Sequence, residues 1–193
     1  NTSVVDCSVD SNRFIDCVTQ ANATGVSDVV VQVSDGSLVA SDGFRVTVVG
    51  VNDGPSLTGI PDQSLIEDSG LNNNIVDLHG FANDPDQDVT SLVFAITSQN
   101  NASVVSCALD GNRFIDCTPQ NNAFGSSDVT VQVSDGSLTD TDTFSVNVSN
   151  VNDAPTFDQS IPDFNVTVGS SFLYDVNCSD VDNEPLTFTD NTS

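Results

Sequence analysis

Apolar residues recur at every second position in short runs along this chain. Val129, Val131 and Val133 alternate with Thr130 and Gln132, and Phe144, Val146 and Val148 alternate with Ser145 and Asn147. A period of two places one set of side chains on one face of a strand, so each run predicts a half-buried β-strand. Ile75–Leu78 and Leu92–Ile96 predict earlier strands of the same kind. Gly, Asn, Asp and Ser bound the runs, as in Ser134-Asp-Gly-Ser137, where the chain must turn. Pro155 ends the last pairing because it has no N–H to donate. No segment of about twelve residues keeps a 3.6-residue period, so helix content should be close to nil. An all-β fold of two packed sheets is the natural way to bury these faces.

The pattern repeats. Asn1-Thr-Ser-Val-Val-Asp-Cys7 returns as Asn101-Ala-Ser-Val-Val-Ser-Cys107, and Asn12-Arg-Phe-Ile-Asp-Cys17 as Asn112-Arg-Phe-Ile-Asp-Cys117. Val31-Gln-Val-Ser-Asp-Gly-Ser-Leu38 returns as Val131-Gln-Val-Ser-Asp-Gly-Ser-Leu138, and Val51-Asn-Asp-Gly-Pro55 as Val151-Asn-Asp-Ala-Pro155. The offset is 100 residues each time, the size of one immunoglobulin-like Greek-key sandwich. One whole repeat is expected at 54–153. Residues 1–53 match only its later half, and 154–193 only its earlier half. A half sandwich exposes a sheet edge and half a core. Two arrangements answer this: a window from a longer tandem array, or subunits in which the last half of one completes the first half of the next.

Alternation also positions four of the five cysteines. A hairpin turning at Ser11–Arg13 sets Val9 opposite Ile15 and Cys7 opposite Cys17, with Val5, Cys7, Val9, Ile15 and Cys17 on one apolar face. Val105, Cys107, Leu109, Ile115 and Cys117 reproduce it. Directly opposed strand positions can meet disulfide geometry, so Cys7–Cys17 and Cys107–Cys117 are the expected bridges, with pairs of free buried thiols as the alternative. Cys178 lacks such a partner; Ala82 stands in its place in the complete repeat.

Charge narrows the function. Against 28 Asp+Glu stand only three Lys+Arg, a net charge of −25. Nucleic acid and anionic membrane surfaces are excluded as partners, since no basic patch can be built. No apolar stretch is long enough to span a bilayer, so no membrane insertion is expected in this segment. Catalysis is poorly supplied: there is one His (His79), no Lys, and no Gly-x-Ser-x-Gly or phosphate-cradling loop. Such a surface repels itself unless cations neutralise it.

The acids gather in loops. Asp84-Pro-Asp-Gln-Asp88 lies between two strands, and Asp180-Val-Asp-Asn-Glu184 takes the same place in the following repeat. Carboxylates at i, i+2 and i+4 can converge on one hard cation, and Ca²⁺ takes 6–8 oxygens. The EF-hand template fails, because its sixth and twelfth positions fall on Val89 and Ala95. Further ligands would come from Asn52, Asp53, Asn152 and Asp153 in the linkers. Seven Asn-x-Ser/Thr triplets, at Asn1, Asn22, Asn101, Asn147, Asn165, Asn177 and Asn191, are candidate N-glycan acceptors in a secreted β protein.

The Val-Asn-Asp-Ala-Pro linker, Ile60-Pro-Asp-Gln63, Glu67-Asp68, the Asp-x-Asp loops and the Val-x-Val-Ser-Asp-Gly strand end resemble cadherin-like domains. They are most similar to the dystroglycan-type and prokaryotic surface-protein versions. The resemblance covers essentially the whole chain and implies extracellular sandwiches strung end to end, rigidified by Ca²⁺ at the junctions. By position it assigns Asp84 and Asp86, Asp180 and Asp182, the linker pairs Asn52/Asp53 and Asn152/Asp153, and Glu67. The chain departs from the animal pattern where Gly50 or Asn150 replaces the acidic residue leading the linker. The expected role is a non-enzymatic stalk, surface fibre or filament outside the cell, whose partners are copies of itself or flanking repeats. The alternative is an accessory module binding carbohydrate or protein, including cell-surface glycans, although one Tyr (Tyr174) and no Trp leave little for a sugar platform.

Overall fold

The computed structural model describes residues 2–190. Its strands, in chain order, begin with β1 (Val5–Val9), β2 (Ile15–Thr19), β3 (Gly25–Ser34) and β4 (Val39–Val48). The central region holds β5 (Ser56–Leu57), β6 (Gln63–Ile66), β7 (Asn72–Asp77), β8 (Ala82–Asn83), β9 (Val93–Gln99), β10 (Val105–Asp110), β11 (Phe114–Pro119), β12 (Gly125–Ser134) and β13 (Thr139–Ser149). Two residues each form β14 (Thr156–Phe157) and β15 (Cys178–Ser179). The helical content among the described residues is two single 3-10 turns, Leu78–Gly80 and Val89–Ser91.

The central region is a sandwich. One sheet has the order β6-β13-β12-β9 and the other β10-β11-β7, with the short pair β5-β8 beside them. All pairings are antiparallel except β6 with β13, which run parallel with Gln63 opposite Val146 and Leu65 opposite Val148. The period-two residues do what alternation requires. Val129, Val131 and Val133 of β12 and Phe144, Val146 and Val148 of β13 face Val76, Val105, Ile115 and Cys117 across the core. Burying a Val, Leu, Ile or Phe side chain stabilises by about 1.5–3 kcal/mol, so this layer is the main source of cohesion.

Polar side chains tie the two sheets, Gln99 of β9 among them: it donates to Val105 O and accepts from Cys107 N (3.1 Å) of β10. Asn112, at the β10–β11 turn, accepts from Phe94 N (2.8 Å) and donates to Leu92 O (2.8 Å). Its backbone needs φ of +135°, and Gly111 before it sits at +61°, so the turn uses the two residue types that tolerate the left-handed side of the map.

The flanking regions are less complete. β1–β2 and β3–β4 are separate two-stranded hairpins. They keep the registers of the matching hairpins in the sandwich, including Cys7 opposite Cys17 and Val9 opposite Ile15. Both cysteine pairs are disulfide-bonded, as expected, and Cys178 is free. Beyond Pro155 the only strand pair among the described residues is β14 with β15.

Candidate functional site

The acidic residues meet at the two junctions. Glu67 follows β6, whose parallel pairing with β13 brings it beside the strand end. Its N–H donates to Ser149 O (3.1 Å) and its Oε1 accepts from Val151 N (2.7 Å). The side chain is 2% exposed, yet Oε2 is buried without a hydrogen-bond partner. Two residues further along the linker, Asp153 N donates to Asp182 Oδ2 (2.6 Å), and Asp182 N donates to Asp180 Oδ1 (2.9 Å). Asp153 Oδ2 and Asp182 Oδ1 are likewise buried and unpartnered. Burial pushes the Asp153 carboxyl above its ordinary range, helped by the negative charges of Asp68, Asp182 and Asp180.

The first junction repeats the clamp. Asp53 N donates to Asp86 Oδ2 (2.7 Å), while Asp84 Oδ1 accepts from Asp86 N (2.7 Å) and Gln87 N (2.9 Å). Asp84 Oδ2 is buried without a partner. Asn52 Nδ2 donates to Asp53 O (3.2 Å) and Asp135 Oδ2 (2.7 Å). Donation from Leu138 N–H, then from Asn52 and Ser137, holds the Asp135 carboxyl below the usual range. An open cleft of about 180 Å³ lies here, lined by Gln20, Val49, Gly50, Val51, Asp53 and Asp86. Among the described residues no acid takes the place of Glu67 at this junction.

Not every acid of the loops joins in. Asp88 caps the Val89–Ser91 turn, its Oδ1 accepting from Thr90 N (2.9 Å) and Thr90 Oγ1 (2.6 Å), which lowers its pKa. Glu184 is exposed. Asn152 donates to Asp153 O (3.0 Å) and so braces the linker turn. Two contributors were not singled out from the sequence as ligands: Asp135, hidden in a turn motif, and Asp68, read only as Glu67's neighbour.

Ionised carboxylates accept hydrogen bonds and donate none. A buried acceptor left unpaired costs about 1–3 kcal/mol, and more when charged. Among the described residues no three of these acids already stand as a ready-made ligand set. The unpartnered Glu67 Oε2, Asp153 Oδ2 and Asp182 Oδ1 are nonetheless hard oxygen donors, which fit Ca²⁺ rather than a soft metal.

The candidate glycan acceptors differ in setting. Asn22 sits in a turn at φ +53°, and Asn165 and Asn177 are exposed. Asn147 points outward from β13. Asn101 is partly buried, its Nδ2 donating to Ser126 O (3.2 Å) and its Oδ1 accepting from Ser103 Oγ (2.7 Å). Asn1 and Asn191 lie outside the described residues.

Comparison with known proteins agrees with this architecture. Residues 51–148 match the family model described as bacterial Ig domain. No curated protein sequence matches the chain. Mouse protocadherin-24 EC1-3 is similar in structure, with a TM-score of 0.53, 16% identity and coverage of 93% of this chain and 66% of that one. Human protocadherin-24 EC1-2 gives 0.50 and 13%, covering 77% and 82%. An endo-fucoidan hydrolase of glycoside hydrolase family 107 gives 0.41 and 19%; the match covers 77% of this chain but only 22% of the hydrolase. At these identities the likeness is one of fold.

Proposed function

We propose that this chain, which belongs to the bacterial Ig domain family, is a non-catalytic structural repeat of an extracellular or surface-exposed fibre, stalk or adhesin. The all-β sandwich, the disulfides and the cadherin-like fold of the neighbouring structures support that reading. The sandwich acts as a rigid spacer, and the junctions decide whether successive spacers hold a fixed angle.

The observation that carries this reading is the clamp repeated at both linkers. Each Val-Asn-Asp linker donates its Asp N–H to the second acid of an Asp-x-Asp loop, at 2.7 Å in one junction and 2.6 Å in the other. Around the second clamp, buried carboxylate oxygens lack partners. Bound Ca²⁺ would supply the missing positive charge and tie linker, loop and preceding sandwich into one unit. Glu67, Asp153 and Asp182 would hold it, with Asp180 and Asp68 adjacent; at the first junction Asp53, Asp84 and Asp86 are the corresponding donors. Asp88 and Glu184 contribute charge rather than ligation in this scheme.

Small-angle scattering and thermal melts of the chain, in millimolar Ca²⁺ and in EDTA, test the proposal. Extension and a higher melting temperature with Ca²⁺ are expected. Superimposable curves in the two conditions would refute the junction role.

A further inference from the structure

We propose that residues 57–67 and β13 form a lock against tension along the chain, in which the carboxylates of Asp62, Asp140, Asp142 and Glu67 serve as side-chain rungs. Such a lock is useful in a fibre or stalk, so its purpose rests on the function proposed above. Its geometry involves no metal.

Strand direction decides how the sandwich meets a pull. Tension enters through the linker ahead of β5 and leaves after β13. β6 and β13 pair in parallel, Gln63–Ile66 against Val146–Ser149. The two ends of the chain therefore draw β6 and β13 along their own axes in opposite directions. All rungs between them share the load, and they must break together before either strand slides. A slip of one residue would also turn Leu65 away from the core and Val148 out of it. An antiparallel pair in the same place would be opened from one end, one rung at a time.

The ladder alone is short, and side chains lengthen it at both ends. Ahead of β6 the backbone cannot continue beside β13: Pro61 has no N–H, and Gly59 sits at φ +79°, outside the strand region. Three carboxylates cross this gap. Asp140 Oδ2 accepts from Leu57 N (2.8 Å), Asp142 Oδ2 from Ile60 N (2.9 Å), and Asp62 Oδ1 from Ser145 N (2.8 Å). After β6, Glu67 N donates to Ser149 O (3.1 Å) and Glu67 Oε1 accepts from Val151 N (2.7 Å). Hydrogen bonds to an ionised carboxylate are stronger than neutral ones. Leu57 and Ile60, 2% and 6% exposed, anchor the same segment in the core. Their N–H groups cannot turn to water without drawing those side chains out. The contact thus runs from 57 to 67 on one side and from 140 to 151 on the other, well beyond the four residue pairs of the ladder.

Single-molecule pulling of the whole chain in EDTA tests the lock, with handles on introduced cysteines and Cys178→Ala removing the free thiol. Val51→Cys with Ala154→Cys pulls in the native direction. Leu71→Cys with Ala154→Cys draws the far end of β6 away from the end of β13, opening the pair from Glu67 onward. All three positions are exposed. The event to read is the step whose length matches the released span with the Cys107–Cys117 loop still closed. Forced unfolding reports the unfolding barrier, so the native direction should need several times the force of the second. Equal forces overturn the inference. Asp140→Ala and Asp142→Ala should lower the force in the native direction only. Ala40 holds the place of Asp140 in β4, so alanine suits that strand position. A drop in both geometries, or in neither, removes the carboxylates from the lock. A failed lock leaves the scattering test of the junctions untouched, and failed junctions leave the lock standing.

Discussion

Glu67 separates the two jobs given to the second junction, a hydrogen bond and a charge. Replacing it with Gln keeps a side-chain oxygen for Val151 N, 2.7 Å away in the native chain, and removes the negative charge. In EDTA the substitution should be close to neutral, because the oxygen that accepts from Val151 N is kept. In Ca²⁺ the native chain should gain RT ln(1 + [Ca²⁺]/Kd). Extracellular modules bind with Kd of about 10⁻⁴–10⁻³ M, so millimolar Ca²⁺ stabilises by about 0.5–1.5 kcal/mol. For a domain of this size that corresponds to a Tm rise of about 2–12 °C. Glu67→Gln should lose most of the rise. Glu67→Ala should also lose about 1–3 kcal/mol in EDTA, since Val151 N is left unpaired. Differential scanning calorimetry of the three chains in both conditions provides the readout. If Glu67→Gln keeps the full Ca²⁺ shift, the carboxylate is no ligand and the reasoning fails.

Four further outcomes are expected. Reducing or replacing Cys107 and Cys117 opens a loop with a sequence separation of 10 residues and should cost about 2–3 kcal/mol on the chain-entropy model, measured by denaturant titration. Phe144→Ala should cost about 3–5 kcal/mol, whereas Phe44→Ala should cost far less, because Phe44 is already 38% exposed; melts of both variants decide it. The Asp77 carboxyl is held low by hydrogen bonding to Arg113, so its stabilisation is complete above the ordinary carboxylate range and fades as pH falls through it toward the lowered value. Asp77→Asn should flatten that part of the pH–stability curve. Asp153 has the opposite sign: its raised pKa favours the protonated folded form, so in EDTA the junction should weaken as pH rises through the shifted value, and Asp153→Asn should abolish that trend.

Much of this was legible along the chain because it depends on neighbours in sequence. The β3–β4 and β12–β13 hairpins follow from alternation plus the Ser-Asp-Gly turn, and cysteines equidistant from a tight turn must face each other. The roles of individual acids were less legible. Asp84, Asp86 and Asp88 look alike as a spacing of i, i+2 and i+4, yet Asp84 folds the loop, Asp86 clamps the linker and Asp88 caps a turn. Which oxygen an N–H reaches depends on backbone dihedrals that residue identity only biases. Asp135 was missed for a related reason: its turn motif explains it locally, and its bond to Asn52 spans 83 residues.

The sequence by itself determined the all-β class, the period of 100 residues, the strand faces and the disulfide register, since a two-residue period and short loops leave few alternatives. Tertiary structure alone decided which acids are buried. Glu67 reaches Val151 only because β6 pairs in parallel with β13, a contact between residues 84 apart that no local pattern encodes. It also decided the fate of identical side chains. Val33 and Val133 stand in the same motif, and only one of them has strands from elsewhere in the chain to cover it.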